Sequence, residues 1–446
     1  MKLTDRQQQL LKRTFLDYMP TSAFLENPLI VERADRLYYW DTAGKRYFDA
    51  IGGIFVAVLG HGHPRIMEAM RRQLETMSFA PPLHSISDVA LAFNEKLSSI
   101  TPGDLNFIKA FSGGSESVES ALKFARQYFK QSGHPSKFKF VSRYEGYHGG
   151  TFGAMAASGT GKRKTPFEPQ MSGFVKVFPP SVYRDRFDTW AECNRFCAQM
   201  FEDVIVNEDP ETVAGVILEP IGNTGGTITP TDEYFHILRD ICDRHNVLLI
   251  FDEIITGFGR TGNMFAAQTF GVTPDIICGG KGLSSGAIPL GAMMAREDMG
   301  DVFLGPAEAD VHFAHGHTFA ANPLAAAVGI AVIDELVEQN LPQKAFETGN
   351  YLAEQLEGLA RHGVVREVRG KGMFRGVELM HPTTGKPFPA LGKALKKTAL
   401  NNGLIMRIDP NWFSLAPALI AEKADIDELM DLIERSLLEA LEHVNE

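Results

Sequence analysis

The chain has 446 residues, of which 44% are hydrophobic and 22% charged, and its 44 basic and 55 acidic side chains leave a net charge of −11. That is ordinary globular composition, long enough for two or three domains around a large core. An acidic balance repels phosphate backbones, so nucleic acid is not an expected partner, and no stretch reaches the roughly 18 apolar residues of a membrane span.

The N-terminal "MKLTDRQQQLLKRTF" mixes charged and apolar residues without the apolar centre of a signal peptide. Cys193, Cys197, Cys242 and Cys278 form no C-x-x-C pair and read as reduced thiols. A cytoplasmic protein is expected. Residues 1–45, with the strand-like "RLYYWD", are too short for a core of their own and are expected to join the C-terminal unit.

From 46 to 325, short apolar runs alternate with amphipathic segments, the pattern of strands and crossover helices in an α/β domain. "VESALKFARQYF" places Val118, Leu122, Ala125 and Phe129 on one helical face. "VAGVILEP" reads as a buried strand ending at Glu219, "EYFHILRDICDRHN" as a helix, and "VLLIFD" as the next strand, which together make a βαβ unit. Runs so uniformly apolar are covered on both faces, which predicts a largely parallel sheet. After Pro323 a long apolar helix, "LAAAVGIAVIDELVEQN", opens a smaller α+β unit over 326–446, with strands at "GMFRGVEL" and "GLIMRI".

Two glycine motifs need testing. Gly257, Gly259 and Gly262 spell G-x-G-x-x-G, but four residues separate them from the strand end at Asp252, and the next acid, Asp275, opens a strand instead of closing one. A dinucleotide fingerprint needs the opposite on both counts. "CGGKGLS" fails as a phosphate loop, because Asp275 stands where its first glycine belongs and Gly282 follows the lysine.

What remains is an acid and a lysine at the ends of neighbouring strands, Asp252 and Lys281, on the sheet edge where open α/β folds bind ligands. Pyridoxal phosphate needs such a pair: a lysine amine for its aldehyde, and a carboxylate that keeps its pyridine nitrogen protonated. In "FSGGSESVESALK", Gly114 and Ser115 open a helix whose N–H groups suit the phosphate, and "YEGYHGGT" offers Tyr147 as a flat ring beside His148. His61 with His63, and His315 with His317, have strand-type metal spacing, but no Cys or acid accompanies them at zinc-site spacing, so packing or hydrogen bonding is the expected role.

The motifs "FSGGSE", "YHGGT", "ILEPIGNTGG", the long run from "IFDEIITGFGRTG" to "KGLSSGAIPLGAM", "HGHTFAANP" and "VRGKGMFRGVEL" occur in one order nearly end to end. In them the chain resembles the class III, fold type I, pyridoxal-phosphate aminotransferases. The resemblance implies a mostly parallel seven-stranded sheet between helices plus a smaller α+β domain. It makes Lys281 the cofactor's lysine and the base for the donor's Cα proton, Asp252 the pyridine partner, and Ile254 and Tyr147 the contacts on the two ring faces, with His148 and Glu219 also at the cofactor. Gly114 and Ser115 would hold the phosphate, and Thr318 would reach the phosphate of a neighbouring subunit, implying a homodimer or a tetramer built as a dimer of dimers. Ile255, Gly222 and Thr224 depart from the ornithine-type pattern and favour the omega-transaminases, in which an arginine at the position of Arg407 binds the acceptor's carboxylate. Phe55 would line the substrate pocket. An amine or amino acid is then the expected donor and a keto acid, pyruvate above others, the acceptor. Racemase, decarboxylase or phospho-lyase chemistry on the same scaffold is the alternative.

Overall fold

The computed structural model describes residues 3–445. Three short strands open the chain: β1 (Val31–Asp35), β2 (Tyr38–Asp41) and β3 (Arg46–Asp49). Seven more follow: β4 (Phe107–Phe111), β5 (Lys139–Arg143), β6 (Phe174–Val177), β7 (Val213–Leu218), β8 (Leu248–Asp252), β9 (Ile276–Gly279) and β10 (Gly291–Ala295). They form one sheet in the order β4-β10-β9-β8-β7-β5-β6. From β9 through β6 every pairing is parallel, as the apolar runs predict, and β7 and β8 are the expected neighbours. β10 alone runs against its neighbours β4 and β9.

The two faces of this sheet follow from the period of two along each strand. Leu248 and Ile250 of β8 pack into the cluster of Val118, Ala121, Phe124 and Phe129, on the helix Gly114–Gln131. Leu249 and Phe251 point the other way, into the core shared with the helices Trp190–Asn207 and Asp232–Arg244. By the same alternation Asp252 falls on the face of the helix Gly114–Gln131. All four cysteines are free and buried.

The chain closes with β11 (Val365–Lys371), β12 (Phe374–Leu379), β13 (Leu404–Ile405), β14 (Arg407–Asp409) and β15 (Trp412–Leu415). β11, β12, β15 and β14 form an antiparallel sheet, whereas β13 pairs parallel with β3 and so completes the N-terminal sheet. The sequence "GLIMRI" is therefore two strands in two sheets, broken at Met406, where its pattern suggests one. The apolar helix Pro323–Glu338 packs on the helices Pro64–Thr76 and Asp88–Ser98 and on the turn that carries Lys281. Gly329 permits that approach, since a Cβ there would lie 2.4 Å from the Phe93 ring.

Candidate active site

At the C-terminal ends of β7, β8 and β9 the structure opens a cavity of about 550 Å³. Ten of the eleven residues expected at the site line it: Phe55, Gly114, Ser115, Tyr147, His148, Glu219, Asp252, Ile254, Lys281 and Arg407. Thr318 does not, and is exposed on a separate turn.

Asp252 is buried, and its carboxylate is fixed from two directions. The ring Nδ1 of His148 lies 2.7 Å from Oδ2, and the Ile254 N–H donates to Oδ1 at 3.2 Å. His148 is itself held through its backbone N–H, which donates to the Ser158 hydroxyl at 2.8 Å. Its Nε2 is buried without a hydrogen-bond partner among the described residues. Glu219, at the end of β7, accepts from the N–H groups of Tyr147 (3.0 Å) and Asn223 (3.3 Å), while burial pushes its carboxyl above the ordinary range and the neighbouring Asp252 adds to the rise.

Lys281 follows β9 and starts a tight turn with φ of 42°, a left-handed conformation that costs a non-glycine residue about 1–3 kcal/mol. Burial lowers the pKa of its amine, against which the anions Asp252 and Glu219 pull it back up, and the cations Arg163 and Arg407 lower it further. A neutral amine is the nucleophilic and basic form, and desolvation favours that form at Lys281. Phe55, at φ of 64°, is also left-handed, and its ring packs edge-on to Phe374 with centroids 5.5 Å apart.

The helix Gly114–Gln131 starts at the cavity, and among the described residues no side chain caps it. A Cβ on Gly114 would come within 2.7 Å of Ile254 Cδ1, so any larger residue must push the end of the Ile254 side chain aside. Ser115 Oγ accepts from the Gly150 N–H at 3.1 Å, which leaves its own proton free to donate.

Residues 21–437 match the family profile described as aminotransferase class-III. The chain belongs to the class III aminotransferases. An omega-aminotransferase of Caulobacter vibrioides is 34% identical to it over 95% of this chain and 96% of the relative. The beta-alanine–pyruvate aminotransferase of Pseudomonas aeruginosa is 31% identical over 94% and 95%. The crystal structure of an omega transaminase from Pseudomonas jessenii in complex with PMP matches with a TM-score of 0.93 at 29% identity, over 98% of each chain. This aminotransferase therefore depends on pyridoxal phosphate and transfers amino groups, and the seven-stranded sheet is that of the fold the sequence predicts.

The residues present fit that cofactor. An uncapped helix start offers N–H donors to a phosphate, Gly114 leaves the space a side chain would fill, and a buried carboxylate stands ready for a protonated ring nitrogen. Among the cavity residues of this aminotransferase that escaped the sequence reading are Asp17, Tyr18 and Arg163. Tyr18 Oη lies 3.3 Å from Tyr147 Oη, and the Arg163 guanidinium stacks on both rings. No periodicity or motif marks them, because they come from a turn and a single helical turn that meet only in the fold.

Proposed function

We propose that the enzyme moves an amino group from an amine or an ω-amino acid to a keto acid, pyruvate above others, with Lys281, Asp252 and Arg407 as its working residues. The observation that carries this reading is the placement of Arg407. It stands on the wall of a largely apolar cavity beside Ile255 and Met406, its Nε donating to Asp409 at 3.1 Å and its guanidinium 4.9 Å from the Trp412 ring centroid. Burial lowers its pKa, and Asp409 opposes the fall. A guanidinium so held can meet an acceptor's carboxylate bidentately and return to Asp409 when an uncharged group enters.

Bound pyridoxal phosphate supplies an aldehyde carbon and a ring that takes up electrons. The protein supplies the rest. Lys281 Nζ would take the proton from the donor's Cα and deliver it to the carbon that the bound cofactor brings as its aldehyde. Asp252, oriented by His148, keeps a cation favourable at its carboxylate, and Gly114 with Ser115 bind the phosphate through N–H and hydroxyl donors. Ile254 and Tyr147 confine the ring, Glu219 fixes the Tyr147 backbone, and Phe55 narrows the substrate end. Thr318, on its exposed turn, would serve the site of a second subunit in a cytoplasmic homodimer. Among the described residues no helix is long and apolar enough to cross a membrane.

The test is a steady-state assay of the holoenzyme with 1-phenylethylamine or 5-aminopentanoate against pyruvate, 2-oxoglutarate and glyoxylate. Parallel double-reciprocal lines and alanine as the main product are expected. Turnover of a donor with no acceptor present, or preference for 2-oxoglutarate, overturns the reading. Sedimentation at several concentrations checks the dimer.

A further inference from the structure

The two arginines of the cavity are held in opposite ways. Arg407 has a carboxylate partner in Asp409, 3.1 Å away. Arg163 has none: it comes from the short helix Gly161–Lys164, is half-buried, and forms no ion pair among the described residues. Two aromatic faces hold it instead, with its guanidinium carbon 4.3 Å from the Tyr18 ring centroid and 4.6 Å from that of Tyr147. A guanidinium carries five N–H donors, so the contact Arg163 makes with the Tyr147 side chain leaves others to meet an oxyanion. Its charge acts on both Lys281 and Arg407 across the same cavity.

We propose that Arg163 is a second acid-binding residue of the site, which selects amino donors carrying a carboxylate remote from the amine. This rests on the amino-transfer reading above and sharpens it, since the donor's amine is delivered to Lys281 while its far carboxylate meets Arg163. Arg407 is then left to the acceptor. Tyr18, from the N-terminal segment, and Tyr147, from the loop after β5, orient the guanidinium by clasping it, so chain segments far apart in sequence build one recognition group.

Arg163→Gln tests this in the holoenzyme with two donors of equal length, 5-aminopentanoate and pentylamine. Loss of a charge-assisted bidentate contact should raise KM for 5-aminopentanoate roughly 10- to 100-fold, with kcat little changed. KM for pentylamine and for pyruvate should hold, and Arg163→Lys should recover part of the loss for the acid. Calorimetric binding of pentanoate, which carries no amine, should weaken in parallel. Equal losses for the charged and uncharged donors would make Arg163 a clasp for Tyr18 only and overturn the proposal, as would unchanged values for both. If the wild-type enzyme transfers no amino group at all, the amino-transfer reading fails by itself, and pentanoate binding still decides the role of Arg163.

Discussion

Two glycine-rich stretches meet around the end of β8, and they do opposite work. At Gly113–Ser115 the missing side chain leaves space: the helix start faces the cavity, and Gly114 clears Ile254. At Gly257–Gly262 the missing side chains bring chain segments together. Gly259 has φ of 89° and would place a Cβ 2.7 Å from Leu419, and Gly262 has φ of 98° and would place one 3.0 Å from Phe346. Between them Arg260 is fully buried and donates to the Pro417 carbonyl. The stretch that spells a nucleotide motif is thus a structural lock on the C-terminal region. Glycine spacing is silent on function until the group opposite each glycine is known.

The adjacent acids Asp252 and Glu253 divide along the same line. Asp252 faces the cavity, whereas Glu253 turns inward and accepts from Thr256 Oγ1 (2.9 Å) and from the N–H groups of Ala266 (2.5 Å) and Ala267 (2.8 Å). The largest predicted effect is on the cavity side. Asp252→Asn should cut kcat about a thousandfold, on the order of 4 kcal/mol, because a charged partner of the reacting centre is lost. Its urea unfolding midpoint should stay or rise, since a buried charge is removed, and a clear fall in that midpoint would put Asp252 on the structural side instead.

Gly259→Ala should show the reverse. A left-handed alanine costs about 1–2 kcal/mol and overpacking against Leu419 about 1–3 kcal/mol more, so the unfolding free energy should drop by about 2–5 kcal/mol. Cofactor affinity of the folded protein should be unchanged. Smaller still is Gly114→Ala, whose φ is ordinary and whose neighbour is the flexible end of Ile254. Helix propensity favours the alanine slightly, yet the displaced Ile254 should weaken pyridoxal phosphate binding about tenfold, about 1.4 kcal/mol. Should Gly114→Ala unfold easily while Gly259→Ala loses cofactor, the distinction between the two stretches is lost.

The sheet was readable in the sequence because its strands are fully buried and bounded by turn residues, so Asp252 and Glu219 could be read as strand ends and Lys281 placed just past one. Direction was not readable: "GAMMA" is as apolar in either sense, and β10 runs antiparallel. Nor was the break at Met406, where two short strands in different sheets follow one continuous apolar run. Arg163, Tyr18 and Asp17 lay beyond the sequence because a four-residue helix and a turn are too short to carry a period. Tyr18 and Tyr147, joined through their hydroxyls, stand 129 positions apart.

Two lysines carry the comparison to a residue type other than glycine. Lys137 and Lys281 both have pKa values lowered by burial. Lys137 is sealed, with Nζ donating to the carbonyls of Pro210 (2.7 Å), Val213 (3.2 Å) and His245 (3.3 Å), whereas Lys281 opens on the cavity. In cofactor-free protein treated with acetic anhydride across a pH series, Lys281 should therefore be acylated with a midpoint below that of surface lysines, and Lys137 should stay unlabelled while the protein is folded. The neutral amine reacts, and Asp252 favours the charged one, so Asp252→Asn should move the Lys281 midpoint lower still. Peptide mass mapping reads both lysines in one experiment. A midpoint that rises in Asp252→Asn would mean that the carboxylate does not act on the amine across the cavity, and the two strand ends would then no longer form one site.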